Sequence, residues 1–320
     1  FGRIGRLSYR DLMVREDYDV VAINDLTDTK TLAHLLKYDS AHGQIGVEVS
    51  HTDSAIIVGG HEVKVFAEKD PANLPWKDLG VQMVLECTGI FRTEEGLKKH
   101  LSAGAEKVIL SAPAKGGNVK TIVVGVNDHL ITEEDEIISN ASCTTNCLAP
   151  MMKVLDENFG VVKGYMTTIH AYTGDQRLQD APHRDLRRAR AAAFSIIPTT
   201  TGAAKAVGIV LPNLAGKMDG FAMRVPTITG SATDVTIELS KEVTAEEINA
   251  AMEKAAHGMK GAMRYTEDPI VSADIIGDEH GCIFDAGMTS TNGNMAKILG
   301  WYDNEAGYSA RMVDLLDLMR

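Results

Sequence analysis

Two stretches decide the fold: Phe1-Gly2-Arg3-Ile4-Gly5-Arg6 and, further on, Tyr18-Asp-Val-Val-Ala-Ile-Asn24-Asp25. Gly2 and Gly5 have the spacing of the second and third glycines of a G-x-G-x-x-G dinucleotide turn. In such a turn the second glycine lets backbone approach a pyrophosphate, and the third lets the helix pack on the sheet. Residues 18–24 read as a β-rich run with a polar end. Asp25 stands 25 − 5 = 20 residues after Gly5, the distance at which an acid takes ribose hydroxyls. Leu26 follows rather than arginine, which favours NAD over NADP. The first fingerprint glycine and the strand before it are absent. That strand is the central one in this topology, and losing it leaves two strand edges unpaired. The expectation is a native chain with one more strand at its N-terminus.

Working outward, Val81–Cys87, Lys107–Ser111 and Thr121–Val126 are further short apolar runs, with helix-like stretches such as Arg6–Arg15 and Thr93–Ala103 among them. Strands alternating with helices predict a doubly wound, parallel α/β sheet of Rossmann type. Residues 56–67, with Gly59-Gly60 at the centre, read as an inserted hairpin. The second half has a different texture. Thr233–Leu239 alternates polar and apolar, and Thr244 with Glu247 forms a capping box before a helix. This predicts an α+β domain with a mostly antiparallel sheet. The expected division is a cofactor domain of residues 1–142 with 304–320, and a catalytic domain of residues 143–303.

The length of 320 residues agrees with two domains. Apolar residues make up 44% and charged residues 24%, the balance of a globular chain rather than a disordered or collagenous one. The net charge of −12 lacks the overall footprint of a nucleic-acid binder, and no apolar run approaches membrane-spanning length. Four cysteines do not make a disulfide framework and read as intracellular thiols.

Chemistry concentrates in Ser139-Asn-Ala-Ser-Cys143-Thr-Thr-Asn-Cys147-Leu-Ala-Pro150. A strand ends near Ser139 and a helical pattern follows, so Cys143 falls where N–H groups and the positive end of the helix dipole converge. Such a place lowers a thiol pKa and offers donors to an oxyanion. Cys147, one turn on, reads as an inward-facing core residue, as do Cys87 and Cys282 in apolar runs. A metal site from Cys143 and Cys147 is the less favoured alternative, since no other Cys/His cluster has zinc-like spacing, and no metal is expected. His170 lies in the strand-like run Tyr165–Thr173, which ends in Gly174, and there suits a general base, though a histidine so placed also reads as structural. Thr199-Thr-Thr-Gly-Ala-Ala-Lys205 reads either as a phosphate cradle before a helix or as a plain cap. Arg224, among apolar neighbours, suits either a carboxylate or a bidentate phosphate. The basic run His183–Arg190 reads as an ion-pair network, with nucleic acid the less favoured partner.

Taken together, these motifs are similar to those of the phosphorylating glyceraldehyde-3-phosphate dehydrogenases. The resemblance covers the whole chain: Phe1–Arg6, Ala22–Asp25, Tyr38–Gly43, Leu110–Pro113, Ser139–Pro150, Thr199–Ala206, Arg224–Thr227 and Trp301–Glu305 match in order. It implies oxidation of glyceraldehyde 3-phosphate with NAD and inorganic phosphate through a cysteine thioester. By this resemblance Cys143 is the nucleophile and His170 the base. Thr173 and Arg224 hold the substrate phosphate, while Ser142, Thr144, Thr201 and Gly202 hold inorganic phosphate. Gly2, Arg3, Ile4, Gly5 and Asp25 bind NAD, with Lys69 and Ser111 nearby and Asn304 on the nicotinamide amide. The resemblance further implies a cytoplasmic homotetramer, with residues 172–194 lying between subunits. Ala306 stands where many members carry tryptophan. The alternatives are an erythrose-4-phosphate dehydrogenase, which ends in hydrolysis and tends to carry glutamate at the ribose position, and a non-catalytic NAD-binding scaffold.

Overall fold

The computed structural model describes residues 1–320 and divides into two units. The first comprises residues 1–122, 130–141 and 312–320; the second comprises residues 123–129 and 142–311.

In the first unit, helix α1 (Arg3–Leu12) starts earlier than the expected Arg6, because Gly2 is its extended N-cap and the Gly2 carbonyl already accepts from Arg6 N–H (3.0 Å). Strand β1 (Ala22–Asn24), helix α2 (Thr29–Lys37), β2 (Val49–His51), β3 (Ala55–Val58) and β4 (His61–Phe66) follow. β1 is shorter than the run 18–24, since its register on β4 begins at Ala22 opposite Lys64, while Tyr18 donates instead to Asp317 Oδ1 (2.7 Å). These strands form one sheet in the order β1-β4-β3-β2. β1 and β4 are parallel, and the expected hairpin is the antiparallel β3–β4 pair. Gly59 (φ 59°) and Gly60 (φ 88°) give its turn the positive φ angles it requires. Then come β5 (Met83–Glu86), α3 (Glu94–Ser102), β6 (Lys107–Leu110), β7 (Lys120–Thr121) and β8 (Ile137–Ser139). They form an all-parallel sheet in the order β5-β6-β8-β7.

The run Thr121–Val126 is a strand only at its first residue. Gly125 (φ 77°) turns the chain, Asn127 Oδ1 accepts from Val123 N–H (2.8 Å), and Val123, Val124 and Val126 are buried.

The second unit is built on α4 (Cys143–Phe159), whose Leu148, Met151, Met152 and Leu155 are fully buried. It packs against a mixed sheet made of β9 (Val161–Ala171), β10 (Ile197–Thr200), β11 (Met218–Val225), β12 (Ser231–Leu239), β13 (Met263–Thr266), β14 (Cys282–Asp285), β15 (Ser290–Asn292) and β16 (Met295–Tyr302). The order is β10-β11-β9-β12-β16-β14-β13, with β15 beside β16. β11–β9 and β13–β14 are parallel and the remaining pairs antiparallel. Helices α5 (Ala203–Val210) and α6 (Ala245–Gly258) complete the unit, and α6 opens on the predicted capping box, with Thr244 N–H donating to Glu247 Oε2 (2.8 Å) and Glu247 N–H to Thr244 Oγ1 (3.2 Å). The last helix, α7 (Ala306–Met319), contributes its first residues to this unit and those from Met312 on to the first. No helix is long and apolar enough to cross a membrane.

Candidate active site

Cys143 is the first residue of α4. Ser142 caps that helix, its Oγ accepting from Thr145 N–H (3.2 Å), so the thiol is fixed at a formed helix terminus. His170 lies near the end of β9, and the parallel β9–β11 register puts Arg224 directly opposite it. Cys143 Sγ stands 3.5 Å from His170 Nε2. His170 Nδ1 lies 2.6 Å from the carbonyl oxygen of Ala171, which only accepts, so the proton sits on Nδ1 and Nε2 presents its lone pair to the thiol. The Arg224 guanidinium then donates from Nη1 to Ala171 O (3.1 Å) and Thr173 Oγ1 (3.3 Å) rather than to the imidazole.

Electrostatics correct one expectation. The helix terminus was expected to lower the Cys143 thiol. Burial instead pushes it above its ordinary value, against the pull of Arg224 and of the Thr144 hydroxyl and N–H. Burial, with the Arg224 charge adding to it, also drives His170 down to about 3. Both shifts favour the uncharged forms, a thiol beside a neutral imidazole.

The remaining predicted residues fall into groups. Thr173 joins Arg224 directly. Ser142 and Thr144 flank the thiol with their side chains engaged: Ser142 Oγ lies 2.7 Å from Thr145 Oγ1, and Thr144 Oγ1 2.9 Å from Tyr302 OH. Thr201 and Gly202 sit at the start of α5, where Thr201 Oγ1 accepts from Ala203 N–H (3.2 Å) and Gly202 brings no side-chain cap. Asn304 is buried; its Oδ1 accepts from Ser231 Oγ (2.8 Å). Ala306 is also buried, its N–H donating to Asp303 Oδ1 (3.1 Å).

Three residues escaped the sequence reading. Gln176 Oε1 accepts from Thr173 N–H (3.2 Å), while its Nε2 and Arg224 Nε are buried donors without a partner. Two orphan donors around Thr173 are what an anion satisfies. Tyr302, whose OH bridges Thr144 and Thr168 (2.9 and 2.7 Å), lies edge-on to His170. Arg188 ties the basic run to Thr199 Oγ1 (2.8 Å) and pairs with Asp175. That run is an ion-pair network, Arg190–Asp180 included (2.9 Å). The nearest signals were the Trp301–Glu305 motif for Tyr302 and the basic cluster for Arg188; nothing in the sequence pattern marked Gln176.

In the first unit, the carboxyl ends of the strands gather the other predicted residues. A β-carbon on Gly2 would meet nothing within 4 Å, and α1 has neither a side-chain cap nor an acid in its first turn. No side chain thus obstructs the backbone that opens α1, so the residues present fit a dinucleotide. Arg3 and Ile4 open α1, and the Arg3 guanidinium is held by Asp39 (Nη2 to Oδ1, 3.1 Å). Asp25 follows β1, its carboxylate accepting from Thr27 N–H (2.9 Å). Lys69 is exposed on a turn fixed to β1 by Asn24 and Glu68 (2.9 and 3.0 Å). Ser111 N–H donates to Glu86 O (3.0 Å) at the ends of β5 and β6.

A dinucleotide-type α/β unit, together with a unit that sets a thiol against an imidazole and a guanidinium, defines a nucleotide-dependent dehydrogenase of the cysteine type. The family models agree: residues 1–94 match the NAD binding domain of glyceraldehyde 3-phosphate dehydrogenase, and residues 142–304 match its C-terminal domain. Similar proteins include glyceraldehyde-3-phosphate dehydrogenase 2 of Streptomyces avermitilis, 60% identical over 98% of this chain and 95% of the relative. The glyceraldehyde-3-phosphate dehydrogenases of Streptomyces coelicolor (59%; 98% and 95%) and Mycobacterium avium (56%; 100% and 96%) are further examples. The chain belongs to the glyceraldehyde 3-phosphate dehydrogenase family.

Proposed function

We propose that this chain oxidises glyceraldehyde 3-phosphate to 1,3-bisphosphoglycerate through a thioester on Cys143, with NAD taking the hydride and inorganic phosphate taking the acyl group. The observation that carries the reading is the Cys143–His170 contact with the imidazole lone pair turned to the thiol.

His170 Nε2 accepts the thiol proton as sulfur attacks the aldehyde carbon; a C–S bond forms and the carbonyl electron pair moves to oxygen. The imidazolium returns a proton to that oxygen, and the neutral imidazole then removes it as the hydride leaves. NAD, when bound, supplies the two-electron acceptor. Arg224, Thr173 and Gln176 offer donors to the substrate phosphate, which anchors the aldehyde at the thiol. The N–H of Cys143 and protonated His170 hold the tetrahedral charge. Ser142, Thr144, Thr201 and Gly202 are assigned to inorganic phosphate, which attacks the thioester carbon and expels the Cys143 thiolate. The backbone of Gly2–Gly5, with Asp25, Lys69 and Ser111, is assigned to the dinucleotide, and Asn304 to the nicotinamide amide. We further assign the chain to a cytoplasmic homotetramer, a reading supported by four unpaired cysteines and by exposed apolar side chains on the second unit.

The test is NADH formation from glyceraldehyde 3-phosphate with and without phosphate, beside erythrose 4-phosphate. Fast turnover that needs phosphate and falls at least 10³-fold in Cys143→Ser is expected, since an alcohol replaces the thiol nucleophile. Phosphate-independent turnover, or preference for the tetrose, overturns the phosphate assignments.

A further inference from the structure

The first unit buries a chain of polar groups that the chemistry above does not use. Trp76 Nε1–H donates to His100 Nδ1 (3.1 Å), and His100 Nε2 meets Glu86 Oε2 at 2.9 Å. Glu86 Oε1 accepts from Thr88 N–H (2.8 Å) and from the Thr88 hydroxyl. Glu86 and His100 are both more than nine-tenths buried. The polarity of the chain is fixed by its ends. Indole nitrogen only donates, so His100 Nδ1 must accept. Nε2 therefore carries the proton and donates a hydrogen bond to the carboxylate, whose other oxygen holds Thr88.

The chain terminates at a functional edge. Cys87–Arg92 joins the carboxyl end of β5 to α3, and in open α/β sheets ligands bind at that edge. The Thr88 hydroxyl also accepts from Ile90 N–H (3.1 Å), and Gly89 takes φ 70°, so the carboxylate sets the whole turn. A β-carbon on Gly5 would stand 3.6 Å from the β-carbon of Cys87, which places this turn against the dinucleotide glycines. Thr88, Gly89 and Ile90 are themselves exposed. A buried carboxylate–imidazole–indole relay thus holds an exposed turn beside the pyrophosphate turn.

We propose that Glu86 and His100 are positioning residues for NAD: braced by Trp76, they lock the Thr88–Ile90 turn in the shape that receives the dinucleotide. This rests on the NAD reading above. The test is calorimetric titration of the full chain with NAD, and KM for NAD against kcat, in the starting protein and in Thr88→Val, Glu86→Gln, His100→Leu and His100→Gln. Thr88 is exposed, so Thr88→Val leaves the buried Trp76–His100–Glu86 contacts in place, and its melting temperature reports whether the fold is kept. The expected result is a five- to twentyfold weaker Kd for NAD in Thr88→Val, Glu86→Gln and His100→Leu, carried by KM rather than kcat. His100→Gln recovers most of the affinity, because its amide nitrogen still donates to Glu86. Unchanged NAD affinity in Thr88→Val and His100→Leu, with only a lower melting temperature in the latter, overturns the proposal and leaves the relay as packing. Failure of the starting protein itself to bind NAD overturns the cofactor reading beneath it.

Discussion

At the Cys143–His170 pair, one cation acts on two titrations. Arg224 lowers the Cys143 thiol and the His170 imidazole alike, in the first case against burial and in the second together with it. Arg224→Leu should therefore raise both. Alkylation of Cys143 by iodoacetamide at pH 8 is expected to slow about tenfold, the effect of one pKa unit or so. Faster alkylation would contradict this electrostatic account. His170 also links the site to stability. Its folded value of about 3 lies below the ordinary 6.5, so between those limits the unfolded chain binds the extra proton. Stability from this group is complete above pH 6.5 and is lost as pH falls towards 3. Between pH 6.5 and 5 the loss is roughly 1–2 kcal/mol, and it disappears in His170→Asn. Urea unfolding of both proteins at the two pH values checks this; parallel losses would show that His170 is not desolvated.

Elements decide where those side chains stand. Ser142 caps the seventeen-residue α4 that carries Cys143 as its first residue. Ser142→Ala should cost about 1 kcal/mol, lower the melting temperature by about 2–4 °C, and reduce turnover several-fold as the thiol loosens from His170. An unchanged melting temperature would show that the Thr145 N–H finds another acceptor. α4 was legible because small polar residues give way to a helical apolar stripe of Leu148, Met151, Met152 and Leu155. The Gly59-Gly60 hairpin and the Thr244–Glu247 cap were legible because their signals are local. Strand lengths were not. Tyr18–Val21 has strand-like residues, but its ladder with β4 begins only at Ala22, opposite Lys64. Thr121–Val126 is apolar because it is buried, not because it is extended, and Gly125 turns it. The site shows the same division. Cys143 and His170 announce themselves by type and neighbourhood, whereas Gln176 matters only because folding leaves its Nε2 beside Thr173 without a partner. The rise in the thiol pKa was equally hidden, since burial is a property of packing that no short motif reports.

On the scale of the whole molecule, the second unit has an unfinished surface. Its sheet is covered on one side by α4 and α5, yet Tyr165 on β9 and Phe221 on β11 point the other way, 71% and 49% exposed. Along residues 172–196, Leu178, Leu186 and Phe194 are each more than 80% exposed, and Ile196 is 62% exposed. Scattered apolar residues need no explanation, but large ones gathered on one sheet face and its flanking segment mark an interaction surface. The same segment is internally braced by Arg188–Asp175 and Arg190–Asp180, so it is held in shape while its apolar side chains face outward. A second copy of the chain is the occupant we assign, in keeping with the homotetramer proposed above. Phe194→Asp with Ile196→Asp places two carboxylates where apolar contact is needed, and burying an unpaired charge costs several kcal/mol. Light scattering coupled to size exclusion should find a tetramer for the starting protein and smaller species for the double variant. Because residues 173–188 brace both Arg224 and Thr199, dissociation should also raise KM for the triose, even though the variant residues touch neither. A starting protein that runs as a monomer would remove the second copy from this surface, and with it the reason for the bracing.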